Sequence, residues 1–128
     1  MAKKILVVED DADVQRGLAV WLRGNGFKTA CARDAVEAIS VAKREQPDLI
    51  VLDVGLPAGD GFVVMARLKS IADLANIPVI IITARDTART LPEARKAGAR
   101  AFLRKPVDGD DLLYSIGRVL SGEPDPVP

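Results

Sequence analysis

The chain has 128 residues, 18 Lys+Arg balanced by 18 Asp+Glu, no histidine and a single cysteine, Cys31. That length makes one globular unit with a real core, and 48% apolar with 28% charged residues argues against wholesale disorder. Zero net charge with one Trp, one Tyr and three Phe disfavours nucleic acid as the main ligand. The lone Cys31 fits a reducing compartment and excludes thiolate metal clusters, and the missing histidine excludes any imidazole base, ligand or phosphohistidine on this chain.

After Lys3-Lys4 the apolar run Ile5-Leu6-Val7-Val8 is too short for a signal core or a membrane span and meets Glu9-Asp10-Asp11 at once. A cytoplasmic protein with no membrane contact is therefore expected. Residues 5–8, 49–52 and 79–82 are continuous apolar runs, the pattern of strands buried on both faces of a parallel sheet. Residues 27–32 and 101–103 are weaker strands, suited to the edges.

Helical signals lie between them. Val14, Leu18, Trp21 and Leu22 form one apolar stripe, on which Trp21 is expected in the core, and the helix should stop at Gly24-Asn25-Gly26. Asp34 and Glu37 have capping-box spacing ahead of Ala38, Ile39 and Ala42. Asp60-Gly61 opens a helix carrying Phe62, Met65, Leu68 and Ile71, and Asp108 caps the last helix, with Leu112, Leu113, Ile116, Val119 and Leu120 inside. In the fourth helix Pro92 is disfavoured beyond the first turn, while Thr90 and Glu93 have cap spacing. The helix is thus predicted to start near Leu91 after a long loop over 84–90; the alternative is a cap at Asp86 with a kink at Pro92. Residues 122–128, with three prolines, read as a tail or linker following a domain over 1–121.

Five strands alternating with five helices predict an α/β fold, a doubly wound parallel sheet with helices on both faces. Ligands in such folds bind outside the carboxyl ends of the strands. The first strand delivers Glu9, Asp10 and Asp11 there, the third Asp53, the fourth Thr83 and the fifth Lys105 before Pro106. The acidic first turn would repel a dinucleotide pyrophosphate, whereas oxygen donors alone suit Mg²⁺. Lys105 and Thr83 supply the point charge and hydroxyl that a phosphoryl group takes. An ionised carboxylate beside them is a competent acceptor, so the residues point to metal-assisted phosphoryl transfer onto an aspartate.

Ile5-Leu6-Val7-Val8-Glu9-Asp10-Asp11, Asp48-Leu49-Ile50-Val51-Leu52-Asp53-Val54-Gly55-Leu56-Pro57, Asp60-Gly61-Phe62, Pro78-Val79-Ile80-Ile81-Ile82-Thr83-Ala84 and Lys105-Pro106 stand in register. Together they resemble the receiver domain of two-component response regulators over about residues 3 to 121. The resemblance implies a flavodoxin-like five-stranded sandwich of strand order 2-1-3-4-5, with Asp53 as phosphoacceptor. It implies Mg²⁺, or Mn²⁺ in its place, bound by Asp10, Asp53 and the Gly55 carbonyl, with Glu9 acting through water. Thr83 and Lys105 would hold the phosphoryl oxygens, Phe102 would be the switch aromatic, and the Lys105–Pro106 bond would be cis. The implied donor is a sensor histidine kinase or a histidine phosphotransfer protein. Output would pass from the fourth helix, fifth strand and fifth helix to a downstream protein or a fused domain, with no direct nucleic-acid binding.

Some positions read more plainly. Asp11 is better placed as a helix cap than in an acidic pocket, and Cys31 reads as a small apolar filler. Arg95, Lys96, Arg100, Arg104 and Lys105 read as a solvated face, or else as a surface for an acidic partner. Arg100-Ala101 and Val107 replace the acidic pair and Phe common in receivers joined to winged-helix domains. Gly55 leaves water open access to Asp53, and Arg85, two residues after Thr83, could cover the phosphoryl or pair with an acid. The full set of acids, Thr83 and Lys105 argues against a phosphorylation-independent module. A phosphatase would want an acid two residues after Asp53, where Gly55 stands.

Overall fold

The computed structural model describes residues 2–56, 61–84 and 87–122. Within it strands and helices alternate as β1 (Lys4–Val8), α1 (Ala12–Gly24), β2 (Lys28–Ala32), α2 (Ala35–Glu45), β3 (Leu49–Asp53), α3 (Gly61–Ser70), β4 (Val79–Thr83), α4 (Thr87–Ala97), β5 (Ala101–Arg104) and α5 (Gly109–Leu120). All four neighbouring strand pairs are parallel, in the order β2-β1-β3-β4-β5. The two weakly apolar strands take the edges, where one side of the backbone has no neighbouring strand.

The three central strands are buried along nearly their whole length because both faces are covered. Alternate residues serve opposite layers. Leu6, Val8, Ile50, Leu52 and Ile81 pack with Ala38, Ala42, Val64, Met65, Leu68 and Ala94, from α2, α3 and α4. Ile5, Val7, Leu49, Val51, Ile80 and Ile82 pack with Leu22 of α1 and with Leu112, Ile116 and Val119 of α5. Each such side chain contributes roughly 1.5–3 kcal/mol by leaving water, so the sheet is the rigid frame on which the loops at its carboxyl edge are hung.

The caps follow the local sequence. Asp11 accepts from the amides of Asp13 and Val14, Asp34 from Glu37, and Asp108 from Asp110 and Asp111, which orders the first turns of α1, α2 and α5. Ile71, expected within the third helix, follows its last residue and packs half-buried against the core.

Two expectations are corrected. Helix α4 begins at Thr87, not near Leu91, and holds Pro92 inside it, so Thr90 and Glu93 lie within the helix instead of capping it. Thr90 and Ala94, one turn apart, are both buried, and Ala94 is part of the core beneath α4. That burial offsets a proline cost of roughly 3 kcal/mol. The alternative cap, Asp86, lies outside the described residues, as does the tail over 123–128. Trp21, expected in the core, is 40% exposed, because Leu22 takes the inward position and the indole turns toward the start of α5.

Pro92 is solvent-exposed and packs against nothing that its loss would open. Pro92→Ala should therefore raise stability in chemical denaturation, by about 1–3 kcal/mol. A destabilised variant would mean that α4 depends on the proline's fixed φ.

Candidate functional site

Because the strands are parallel, their carboxyl ends open on one edge of the sheet. Asp53 is the last residue of β3 and Thr83 the last of β4, while Glu9 and Asp10 follow β1 and Lys105 follows β5. The chain turns sharply behind Asp53. A Cβ on Gly61 would stand 2.6 Å from the Val54 Cα and 2.8 Å from the Asp53 carbonyl oxygen, and the Gly61 amide donates to the Val54 carbonyl at 3.2 Å. Only glycine lets α3 start this close to the end of β3. The sequence marks Gly61 merely as a helix opener; the sign of more was glycine at a first helical position, where it is a poor helix former.

One ammonium sits at the centre of the site. Lys105 Nζ donates to Asp53 Oδ2 at 3.0 Å and to Glu9 Oε1. The other Asp53 oxygen, Oδ1, accepts the Gly55 amide at 2.8 Å. The other Glu9 oxygen, Oε2, accepts the Asp11 amide at 3.3 Å. Glu9 is fully buried and Asp53 is 5% exposed, so both carboxylates are largely cut off from water. Lys105 is thereby drawn out of the row of cations in which the sequence set it, while Arg95, Lys96, Arg100 and Arg104 remain exposed.

Burial pushes the Glu9 carboxyl up to about 7; the hydrogen bond from Lys105 pulls it down and neighbouring Asp53 pushes it up again. Burial alone would lower the Lys105 ammonium, but its hydrogen bonds to Glu9 and Asp53 prevail and raise it. Glu9 is thus the carboxyl that burial drives toward its protonated form.

Ligand atoms of Glu9, Asp10 and Asp53 lie within 4.8 Å of one another, with Asp10 open to solvent. Three carboxylates around one ammonium leave negative charge uncompensated, and Asp53 adds to the rise that burial gives Glu9. Hard oxygen donors with one solvent-facing member fit a small divalent cation that keeps several of its waters. A Cβ at position 55 would come within 3.2 Å of Asp53 Oδ1, so Gly55 keeps the approach to that carboxylate clear.

The remaining positions divide by role. Asp11 is spent on capping α1. Thr83 is fully buried, and its carbonyl accepts the Lys105 amide at 2.9 Å. Phe102 is half-buried, lies opposite Ile81 in the β4–β5 register and packs against the core layer beneath α4. It thus shares a sheet face with Thr83, one diagonal step away. Cys31 is half-buried on edge strand β2, against the α1–α5 layer, and burial raises its thiol. The Lys105–Pro106 peptide is cis. Asp60 and Arg85 lie outside the described residues. No helix among the described residues is long and apolar enough to cross a membrane.

The Glu9 proton leaves the unfolded chain near 4.5 and the folded chain near 7. Between those values the folded state binds more protons, so stability falls as pH rises through the window. Lys105, raised above 10.5, acts at far higher pH. In metal-free buffer, denaturation across the window should show this fall, and Glu9→Gln, neutral throughout, should flatten it. An unchanged slope in the variant would assign the proton elsewhere.

Residues 5–117 match the family described as response regulator receiver domain. The chain is 33% identical over 119 residues to the protein PilH of Pseudomonas aeruginosa, covering 93% of this chain and 98% of PilH. It is 38% identical over 117 residues to the response regulator MprA of Mycobacterium leprae, covering 91% of this chain and 50% of MprA, so it spans about half the length of that relative. A putative response regulator from Chloroflexus aurantiacus superposes with a TM-score of 0.89 at 28% identity, covering 94% of this chain and 99% of that structure. In this family the carboxylate cluster is a phosphoacceptor site, and the module is not an enzyme acting on a separate substrate. A parallel sheet in the order β2-β1-β3-β4-β5, with buried acids clasped by a lysine at its carboxyl edge and a family match along most of its length, places this chain among the receiver domains of two-component response regulators.

Proposed function

We propose that this domain takes a phosphoryl group onto Asp53 from a phosphohistidine on a sensor histidine kinase or a histidine phosphotransfer protein, and relays its presence through a change of conformation. The observation that carries the reading is the Asp53 carboxylate itself. One oxygen is held by the Gly55 amide at 2.8 Å and the other by Lys105 at 3.0 Å, within a cluster of acids and beside the open position 55. A partner kinase is supported by membership of the family, and these 128 residues contain no histidine that could serve as the donor.

In the transfer an Asp53 oxygen forms the new bond to phosphorus as the phosphorus–nitrogen bond of the donor breaks. The imidazole nitrogen keeps that electron pair and takes up a proton. Lys105 is placed to follow the incoming charge from the carboxylate onto a phosphoryl oxygen, and Thr83 would donate its hydroxyl to another. Asp10, Asp53 and the Gly55 carbonyl would hold Mg²⁺, or Mn²⁺ in its place, with Glu9 acting through a water. When bound, the ion would neutralise carboxylate and phosphoryl charge together. Glu9 supports this role because a buried carboxyl raised to about 7 still ionises near neutral pH, where a bound cation would displace its proton.

The phosphoryl would bias a two-state equilibrium already present in the fold. Thr83 drawn toward the site would free space on the shared sheet face for Phe102 to turn inward, altering α4, β5 and α5, the surface offered to a downstream protein or fused output domain. The end of α5 at Leu120 supports reading residues 1–121 as the domain and 122–128 as its tail.

Incubation with Mg²⁺ and acetyl phosphate, read by intact mass, should add one phosphate to the wild type and none to Asp53→Ala; EDTA should abolish the adduct. Asp10→Asn should be more thermostable than wild type in EDTA, since it removes repulsion from the cluster, yet lose the stabilisation that Mg²⁺ gives wild type. An adduct retained in Asp53→Ala contradicts the reading.

A further inference from the structure

Trp21 lies on the apolar stripe of α1, yet its indole has found a partner outside the core. Nε1 donates to the Gly109 carbonyl at 3.3 Å. The edge of the ring that carries this nitrogen lies so close to that residue that a Cβ at Gly109 would stand 2.5 Å from Cε2 and 2.6 Å from Cζ2. Among the described residues the glycines with positive φ are Gly26, Gly98 and Gly122, so Gly109 uses its missing side chain for this close approach and not for an unusual backbone angle. The indole forms one wall of a groove of about 800 Å³ that runs past Val14, Leu18, Pro106 and Val107 to Lys105.

The two segments joined by this contact carry the two halves of the site. Helix α1 starts directly after Glu9 and Asp10, behind the Asp11 cap. Gly109 is the first residue of α5, and only Pro106, Val107 and Asp108 separate it from Lys105. Lys105 is anchored on one side by its amide bond to the Thr83 carbonyl at 2.9 Å. On the other side Pro106 is exposed and Val107 is half-buried against the α1–α5 core, and the indole on Gly109 adds a large side chain that ties this turn to α1. A lysine ammonium rides on a flexible four-carbon stem, and its placement is only as good as the main chain beneath it.

We propose that Trp21 is a positioning residue for Lys105: clamped on Gly109, it latches the turn over 105–109 to α1 and so holds the ammonium at Asp53 in the place where the phosphoryl group needs it. The proposal rests on Asp53 being the phosphoacceptor. Glu9, Asp10, Asp53 and Gly55, which would hold the cation, are not on the latched turn, so the latch acts on transfer and reaches the cation only through the ammonium that contacts Glu9 and Asp53.

Three variants separate the ring from its hydrogen bond. Trp21→Leu removes both, Trp21→Phe removes the donor alone, and Gly109→Ala drives the indole off with the tryptophan retained. Trp21 is the sole tryptophan, so its fluorescence reports that displacement directly. Two quantities are measured on each: the Kd for Mg²⁺ alone by calorimetry, and the rate of Asp53 phosphorylation by acetyl phosphate at saturating Mg²⁺. The latch predicts a Kd no weaker than that of wild type in all three, with the rate falling about tenfold in Trp21→Leu and Gly109→Ala and less in Trp21→Phe. A purely structural tryptophan would lower stability and leave the rate of the folded protein untouched, which overturns the proposal. Parallel loss of Mg²⁺ binding and rate overturns it too, since the whole site would then have collapsed. If wild type takes no phosphate, the acceptor reading fails instead, and hydrogen exchange judges the latch on its own: amides from Val107 to Asp111 should exchange faster in Trp21→Leu and Gly109→Ala, and unchanged protection contradicts it.

Discussion

The Lys105 ammonium, shared between the buried carboxylates of Glu9 and Asp53, is the interaction on which the rest of the site depends. Two buried acids side by side repel each other and lose their water; one cation between them makes the arrangement tolerable. The balance is incomplete, and Glu9 shows it by holding a proton to about 7. A site so poised is ready for more positive charge, and a divalent cation together with a phosphoryl dianion changes its balance without any new fold. The ammonium that neutralises Asp53 at rest is the same one that would follow the charge outward when Asp53 is modified.

The sheet makes this possible by geometry. Parallel pairing sends the ends of β1, β3, β4 and β5 to one edge, so residues far apart in the chain converge without any long loop. Two layers of aliphatic side chains hold that edge still. Close contacts at glycine then refine it: Gly61 lets α3 turn tightly behind Asp53, and Gly109 accepts the close approach of the Trp21 ring. Backbone packing of this kind sets distances that flexible side chains cannot set for themselves.

Much of this was legible in the sequence, and the reasons it was legible are physical. Buried parallel strands must be continuously apolar, so 5–8, 49–52 and 79–82 announced themselves, and the acids and lysine at their ends marked the functional edge. Asp11, Asp34 and Asp108 advertised their helices because a cap is a local interaction. What the sequence hid was decided by long-range contacts. Pro92 looked like a barrier to α4, but the burial of Thr90 and Ala94 against the sheet was not visible in the local pattern. Trp21 looked like core because its spacing fits the stripe, while its partner, Gly109, lies 88 residues away. Lys105 sat in a run of cations with nothing local to say that it alone turns inward.

A double-mutant cycle between Glu9 and Lys105 tests the central claim most directly. Stability would be measured by chemical denaturation in metal-free buffer for wild type, Glu9→Gln, Lys105→Met and the double variant. If the ammonium holds the buried acids together, Lys105→Met alone is strongly destabilising, the double variant recovers part of the loss, and the coupling exceeds about 1 kcal/mol. Additivity within about 0.5 kcal/mol would mean that the two groups are neighbours without being partners, and would contradict the account.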